Sequence, residues 1–295
     1  MGPGPLGAPV KMKARMAKEW ACGRFRLSLQ RPLIMGIVNV TPDSFSDRID
    51  RTDPVEAIAW ARRLVAEGAD LLDIGGESTR PGAPAVPAAV ELDRILPVLE
   101  AMRDSGVPLS VDTRKPEVMR VALAHGADLI NDVGGFTAPG AIDAVAATDC
   151  GVCVMHMKGD PATMQHAPEY AEVLSEVAAF LGAQRDALER AGVASDRIML
   201  DPGIGFGKSL EHNLMLMRGL AALREQGPLL VGVSRKSVIG RLTGREVGER
   251  LPGSLAAMLA AVREGASVVR VHDVAATRDA LTVWRALTTE ALNGA

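Results

Sequence analysis

Short apolar runs alternate along this chain with helix-like stretches rich in Ala, Leu, Arg and Glu. Eight runs read as strands: Leu33 to Val38, Asp70 to Ile74, Leu109 to Val111, Leu129 to Ile130, Val152 to Met155, Ile198 to Leu200, Leu229 to Val233 and Val268 to Val271. Eight such alternations predict an α/β fold closed into a (β/α)8 TIM barrel. The runs stop at or near Asn39, Glu77, Asp112, Asn131, His156, Asp201, Ser234 and His272. In such a barrel the residues just past the strands share one mouth, so these polar endings are expected to converge on one site.

The connections carry their own signals. Pro54 to Glu67 reads as a helix with Pro near its start, Gly68 just past its end and Asp53 as N-cap. Glu67-Gly68-Ala69-Asp70, His125-Gly126-Ala127-Asp128 and Glu264-Gly265-Ala266-Ser267 repeat one phrase, a Gly at a helix C-terminus before a strand. Val40 to Thr52, Gly75 to Pro87 and Lys158 to Glu169 are longer, polar connections that leave strand C-termini, as loops over the mouth would. Before the barrel, Arg24 to Gln30 alternates as a strand able to plug its lower end. The expected division is an N-terminal extension over 1–30 and a barrel over 31–295.

Composition narrows the function. At 295 residues, 47% of them hydrophobic, with a net charge of -3, the chain offers one large core and no basic field for nucleic acid. No run approaches the roughly 20 apolar residues of a membrane span, and the Gly/Pro-rich start is followed by no signal-peptide core. Three cysteines are too few for a disulfide framework, so a reducing, cytoplasmic location is expected. Cys150 and Cys153 have redox or zinc spacing, but residues three apart in a strand face opposite ways, which favours a structural role. Gly203, Gly205 and Gly207 do not match a dinucleotide fingerprint and read as points of close backbone approach.

The mouth combines carboxylates (Asp112, Asp201), amides (Asn39, Asn131), cations (Lys236, Arg270) and an imidazole (His272). Asp and Asn can accept and donate along the edge of a flat, nitrogen-rich heterocycle, while Lys and Arg suit a carbonyl or phosphate. Five stretches carry a family pattern: Ile37 to Asp47 (IVNVTPDSFSD), Gly75 to Gly82 (GGESTRPG), Asp201 to Lys208 (DPGIGFGK), Ser234 to Ser237 (SRKS) and Arg270 to His272 (RVH). In order and at family spacing, they resemble the dihydropteroate synthases.

That resemblance implies condensation of a dihydropterin methyl diphosphate with p-aminobenzoate, assisted by Mg²⁺, to give dihydropteroate and diphosphate. It places Asp112, Asn131, Asp201 and Lys236 around the pterin, and Asn39, Thr79, Arg270 and His272 at the diphosphate and metal, with Asn39 as metal ligand. Phe45, Arg80, Pro81, Phe206 and Ser237 would shape the p-aminobenzoate slot; Asp43, Arg80 and Lys236 would act in catalysis. The family forms homodimers, and sulfonamides occupy the second slot. Arg48 and Ile49 depart from the two glycines the family commonly carries after Ser46-Asp47, which puts the hinge of the first loop in question. Two competing readings are a methyltetrahydrofolate methyltransferase, which should lack the diphosphate and benzoate motifs, and an inactive paralogue, which should have lost the loop motifs.

Overall fold

The computed structural model describes residues 18–41, 53–80, 82–160, 164 and 168–288. The strands are β1 (Glu19–Cys22), β2 (Phe25–Ser28), β3 (Leu33–Asn39), β4 (Leu71–Gly75), β5 (Leu109–Asp112), β6 (Leu129–Asp132), β7 (Gly151–Met155), β8 (Ile198–Asp201), β9 (Leu229–Val231) and β10 (Ala266–Val271). The last eight close into a barrel in the order β10-β3-β4-β5-β6-β7-β8-β9, and β10 pairs with both β3 and β9, in parallel throughout. This is the expected TIM barrel. Several strands run further toward the mouth than their apolar runs. Backbone pairing continues through the polar ends, with Asn39 beside Gly75, Gly75 beside Asp112 and Asp112 beside Asn131. Only β9 is shorter, stopping at Val231.

Helices follow the strands and cover the outside. Pro54–Ala66 begins as expected, with the Asp53 carboxylate accepting from the Val55 N–H at 2.9 Å. Outward strand residues such as Ile34, Leu72, Val152 and Leu200 pack with the helical Leu64, Ile95, Val118 and Leu181 in one buried cluster. Side chains two apart on a strand share a face, which separates that outer cluster from an inner one. Leu33, Met35, Leu71, Leu129, Cys153, Met199, Leu230 and Val268 fill the inside of the barrel. Cys150 belongs to the outer cluster and Cys153 to the inner, so the pair straddles the wall, as their spacing requires.

The same two-residue step builds the site. Beyond Leu71, Leu129, Met199 and Val268 come Asp73, Asn131, Asp201 and Arg270, on the same inward face and one layer nearer the mouth. The interior is therefore apolar below and polar above.

Beneath the apolar layer lies an antiparallel hairpin, β1 against β2. The strand expected between Arg24 and Gln30 is β2; its partner β1 gave no alternating signal, because Trp20, Ala21 and Cys22 are buried in succession. Trp20 and Cys22 join the inner cluster, and the Trp20 indole N–H donates to the Arg197 carbonyl at 3.0 Å. Arg24 ties the hairpin to Asp128, just before β6, at 2.8 Å. Trp20 thus closes the floor of the barrel.

Candidate active site

Asp73 is the hub of the polar layer. Fully buried in β4, its carboxylate accepts from the Ser110 hydroxyl at 2.5 Å, the Asn131 amide Nδ2 at 3.0 Å and the Arg270 Nε at 2.5 Å. Arg270 Nη2 donates to Asp112 Oδ2 at 2.9 Å. Among the described residues of this layer, two buried oxygens have no hydrogen-bond partner, Asp112 Oδ1 and Asn131 Oδ1. Buried polar atoms are nearly always paired, so the two orphans mark a place where a ligand completes the network. Burial pushes the Asp112 carboxyl up to about 8, against the pull of Arg270, and pushes Asp201 upward against Lys236.

Lys236 enters the layer from beyond β9. Burial brings its ammonium down to about 8, with Asp201 and Asp112 opposing that shift and Arg270 adding to it. It donates to the Ile204 carbonyl and lies 4.6 Å from the centre of the Phe206 ring. Three residues of left-handed backbone, Gly203, Gly205 and Gly207, turn the chain after β8 into this position. A Cβ at Gly203 would stand 1.9 Å from the His156 carbonyl oxygen, and one at Gly207 would stand 2.2 Å from that of Lys158, so the expected close approach is real.

Lys208, at the end of that turn, was not expected in any role. Its buried ammonium donates to the carbonyls of Gly203, Phe206 and His156 at 2.9, 2.9 and 3.2 Å, and lies 3.0 Å from His156 Nδ1. Burial, helped by the Lys208 charge, takes His156 down to about 3. His156 is therefore a neutral ring that holds the turn, in keeping with a structural histidine.

At the rim, the second loop is fastened at both ends. Glu77 Oε1 accepts from the Val86 N–H at 3.2 Å and Glu77 Oε2 from Lys115 Nζ at 2.5 Å; Lys115 also binds Glu91 Oε2 at 2.5 Å. Burial works to raise the Glu77 carboxyl, but Lys115, the Val86 N–H and Arg114 together outweigh it and hold the group below its usual range. The half-buried Thr79 and exposed Arg80 stand on the segment so clamped. Across the mouth, Ser234 Oγ and His272 Nδ1 lie 3.0 Å apart, and Ser237 opens a short helix, Ser237–Thr243, with its side chain exposed. Arg235, beside Lys236, is ion-paired with Asp273. Asn39 ends β3 half-buried; a Cβ at Gly75 would lie 3.7 Å from Asn39 Oδ1 and 3.5 Å from Asp112 Cβ, so the two side chains flank the bare Gly75 of β4 between them.

The sequence model for pterin binding enzymes matches residues 35–272. Dihydropteroate synthase of Neisseria meningitidis serogroup B is 53% identical over 276 residues, which are 91% of this chain and 97% of that relative. The chain belongs to the dihydropteroate synthase family. Burkholderia cenocepacia dihydropteroate synthase, solved in complex with 7,8-dihydropteroate, is 52% identical with a TM-score of 0.84, covering 92% of this chain and 97% of its own. The Xanthomonas albilineans dihydropteroate synthase, solved with 4-aminobenzoic acid, is 51% identical with a TM-score of 0.87, covering 93% and 100%.

Of the residues expected from the dihydropteroate synthase pattern, Asp112, Asn131, Asp201, Lys236 and Arg270 share the polar layer, with Phe206 against Lys236. Arg270 sits deeper than a rim residue, because it arises within β10 and its guanidinium is held by Asp73 and Asp112. Asn39 ends β3, and Thr79, Arg80, Ser237 and His272 follow strand ends on the same side. Asp43, Phe45 and Pro81, with Arg48 and Ile49, lie outside the described residues. Asp73, Lys115 and Glu91 escaped sequence reasoning.

Proposed function

We propose that this chain condenses (7,8-dihydropterin-6-yl)methyl diphosphate with p-aminobenzoate, a C–N bond-forming transfer of folate synthesis. What carries the reading at the site is the pair of orphaned oxygens, Asp112 Oδ1 and Asn131 Oδ1, in the layer that also holds Asp201 and Lys236. A heterocycle edge with N–H groups satisfies Asn131 Oδ1 and Asp201, and the Lys236 ammonium suits the ring carbonyl. Asp112 can accept from the ring or, when protonated, donate to it.

The aniline nitrogen supplies the electron pair of the new C–N bond and loses a proton, while the C–O pair departs with diphosphate. No protein nucleophile is required. Our reading is a dissociative path in which the electron-rich dihydropterin shares the positive charge on carbon, and Asp43, outside the described residues, adds to its stabilisation. The Ser234–His272 pair and Thr79 line the departure side; Ser237, with Arg80, Phe45, Pro81 and Phe206, forms the second slot.

Mg²⁺ is part of the same proposal. Asn39 offers one neutral carbonyl oxygen, half-buried at a strand end beside Gly75, and this fits a cation that takes few protein ligands and borrows phosphate oxygens. When bound, the metal would neutralise charge on the diphosphate. Homodimerisation also belongs to the reading: Leu242, Val283 and Leu287 are large apolar side chains left exposed on the helices. So does a cytoplasmic setting, which suits three buried free thiols. No helix among the described residues is long and apolar enough to cross a membrane.

Turnover of the purified protein with Mg²⁺ and both substrates tests the activity. Formation of dihydropteroate, suppressed by a sulfonamide in competition with p-aminobenzoate, is expected; a folded sample that makes none overturns the reading. Asp201→Ala should weaken pterin binding by about 1–3 kcal/mol, since ligand donors lose their acceptor. Unchanged affinity in a calorimetric titration would take Asp201 out of the pocket. Glu77→Gln, which keeps an acceptor for Val86 but loses the charge facing Lys115, should lower kcat/KM for p-aminobenzoate about tenfold with the pterin Kd nearly unmoved. If the pterin Kd shifts instead, the clamp serves the pocket rather than the loop.

A further inference from the structure

We propose that Asp73 is a positioning residue that sets the hydrogen-bond polarity of the heterocycle pocket, and so selects a ring with an N–H donor where Asn131 meets it. The inference rests on the pterin reading above and adds a residue and a selection rule to it. Asn131 is nearly fully buried, and its amide can present either its oxygen or its NH₂ to a ligand. A side-chain amide has no intrinsic preference between the two; the environment decides.

Here the decision comes from one group. Asp73 is inward-facing, fully buried and ion-paired with Arg270, and a carboxylate has only acceptors to offer. It therefore draws Nδ2 of Asn131 toward itself, at 3.0 Å, and turns Oδ1 away to the place where no protein group meets it. The carboxylate is itself fixed against rotation. Ser110 Oγ donates to Oδ1, while Arg270 Nε and Asn131 Nδ2 both reach Oδ2. Arg270, held this way, extends its other arm to Asp112 Oδ2. A network across four strands thus converts one acceptor in β4 into a defined acceptor on β6 and, through Arg270 of β10, into a single engaged oxygen on Asp112 of β5.

With alanine at position 73 the constraint disappears. No acceptor then draws Nδ2 inward, and the Arg270 guanidinium, released from Asp73, can donate to Asn131 Oδ1 instead, so Asn131 can rotate and present NH₂ to the ligand. The pocket then tolerates a ring acceptor in place of the donor. The effect on affinity for the native ring is secondary; the effect on discrimination is the signature.

The test compares 6-hydroxymethylpterin with 6-hydroxymethyllumazine, rings of equal size in which the 2-amino donor of the first is a 2-oxo acceptor in the second. Both dissociation constants are measured by calorimetry on the full chain. The wild type should prefer the pterin on the order of a hundredfold or more, because a site built for a donor leaves buried groups unpaired against the isostere. Asp73→Ala should lower that ratio at least about tenfold. Should Asp73→Ala fail to fold, Asp73→Ser, whose hydroxyl can donate to Asn131 Oδ1 as well as accept from Nδ2, should lower it severalfold. A merely structural role would weaken both ligands together and leave the ratio where it was; that result in a folded variant overturns the proposal. Failure of the wild type to bind the pterin at all would overturn the functional reading, and this inference with it.

Discussion

Lys236→Met is expected to lower kcat/KM for the pterin substrate on the order of a hundredfold or more, the loss seen when a preorganised charged donor is removed from a water-excluded site. The ammonium is poised among Asp201, Asp112 and Arg270, and burial brings it down to about 8. Below that value the group carries its proton and can donate to the ring carbonyl; above it the charge is lost, and with it the stronger donor. The wild-type kcat/KM should therefore fall as pH rises through about 8. Because kcat/KM reports groups of the free enzyme, this limb belongs to the unliganded pocket and should vanish in the variant. An alkaline limb that survives in Lys236→Met would assign the titration to another group, and an unchanged rate would remove Lys236 from the reaction.

Trp20→Ala should cost about 3–5 kcal/mol of stability, the range for deleting a fully buried aromatic side chain. Trp20 fills the base of the barrel against Leu33, Met35, Leu71 and Leu129, and its loss also leaves the Arg197 carbonyl without the indole donor. A urea melt should show the shift, while the Michaelis constants of any folded fraction stay near the wild-type values. The reason is distance along the strands: the inner apolar layer separates the hairpin from Asp73, Asn131 and Asp201. A midpoint that does not move would mean that the hairpin adds no stability to the barrel.

The barrel was legible because its strands are buried on both faces and read as unbroken apolar runs, punctuated where the chain reaches the mouth. Asp112, Asn131 and Asp201 were visible for the same reason, as polar residues that stop a run. Asp73 was not. It lies inside the run Leu71-Leu72-Asp73-Ile74, and its purpose depends on Arg270, a partner 197 residues away, which no local pattern reveals. The isolated carboxylate in an otherwise apolar strand was the available signal. Lys115 and Glu91 were hidden differently: on helices and loops a lysine and a glutamate read as solvated surface, and only the bridge that Lys115 makes between Glu91 and Glu77 makes them structural. β1 was missed because its contiguous burial has no period to detect.

The burial of Cys22, Cys150 and Cys153 has a practical corollary. One sulfur lies beside the floor, one outside the wall and one inside it; Cys22 and Cys153 are fully buried, so an alkylating reagent reaches those two only when the barrel opens, and Cys150, outside the wall, reports on the helical layer. Their rates of labelling are consequently a built-in clock for opening events. Comparing the three would tell whether the hairpin departs first or the whole cylinder opens as a unit.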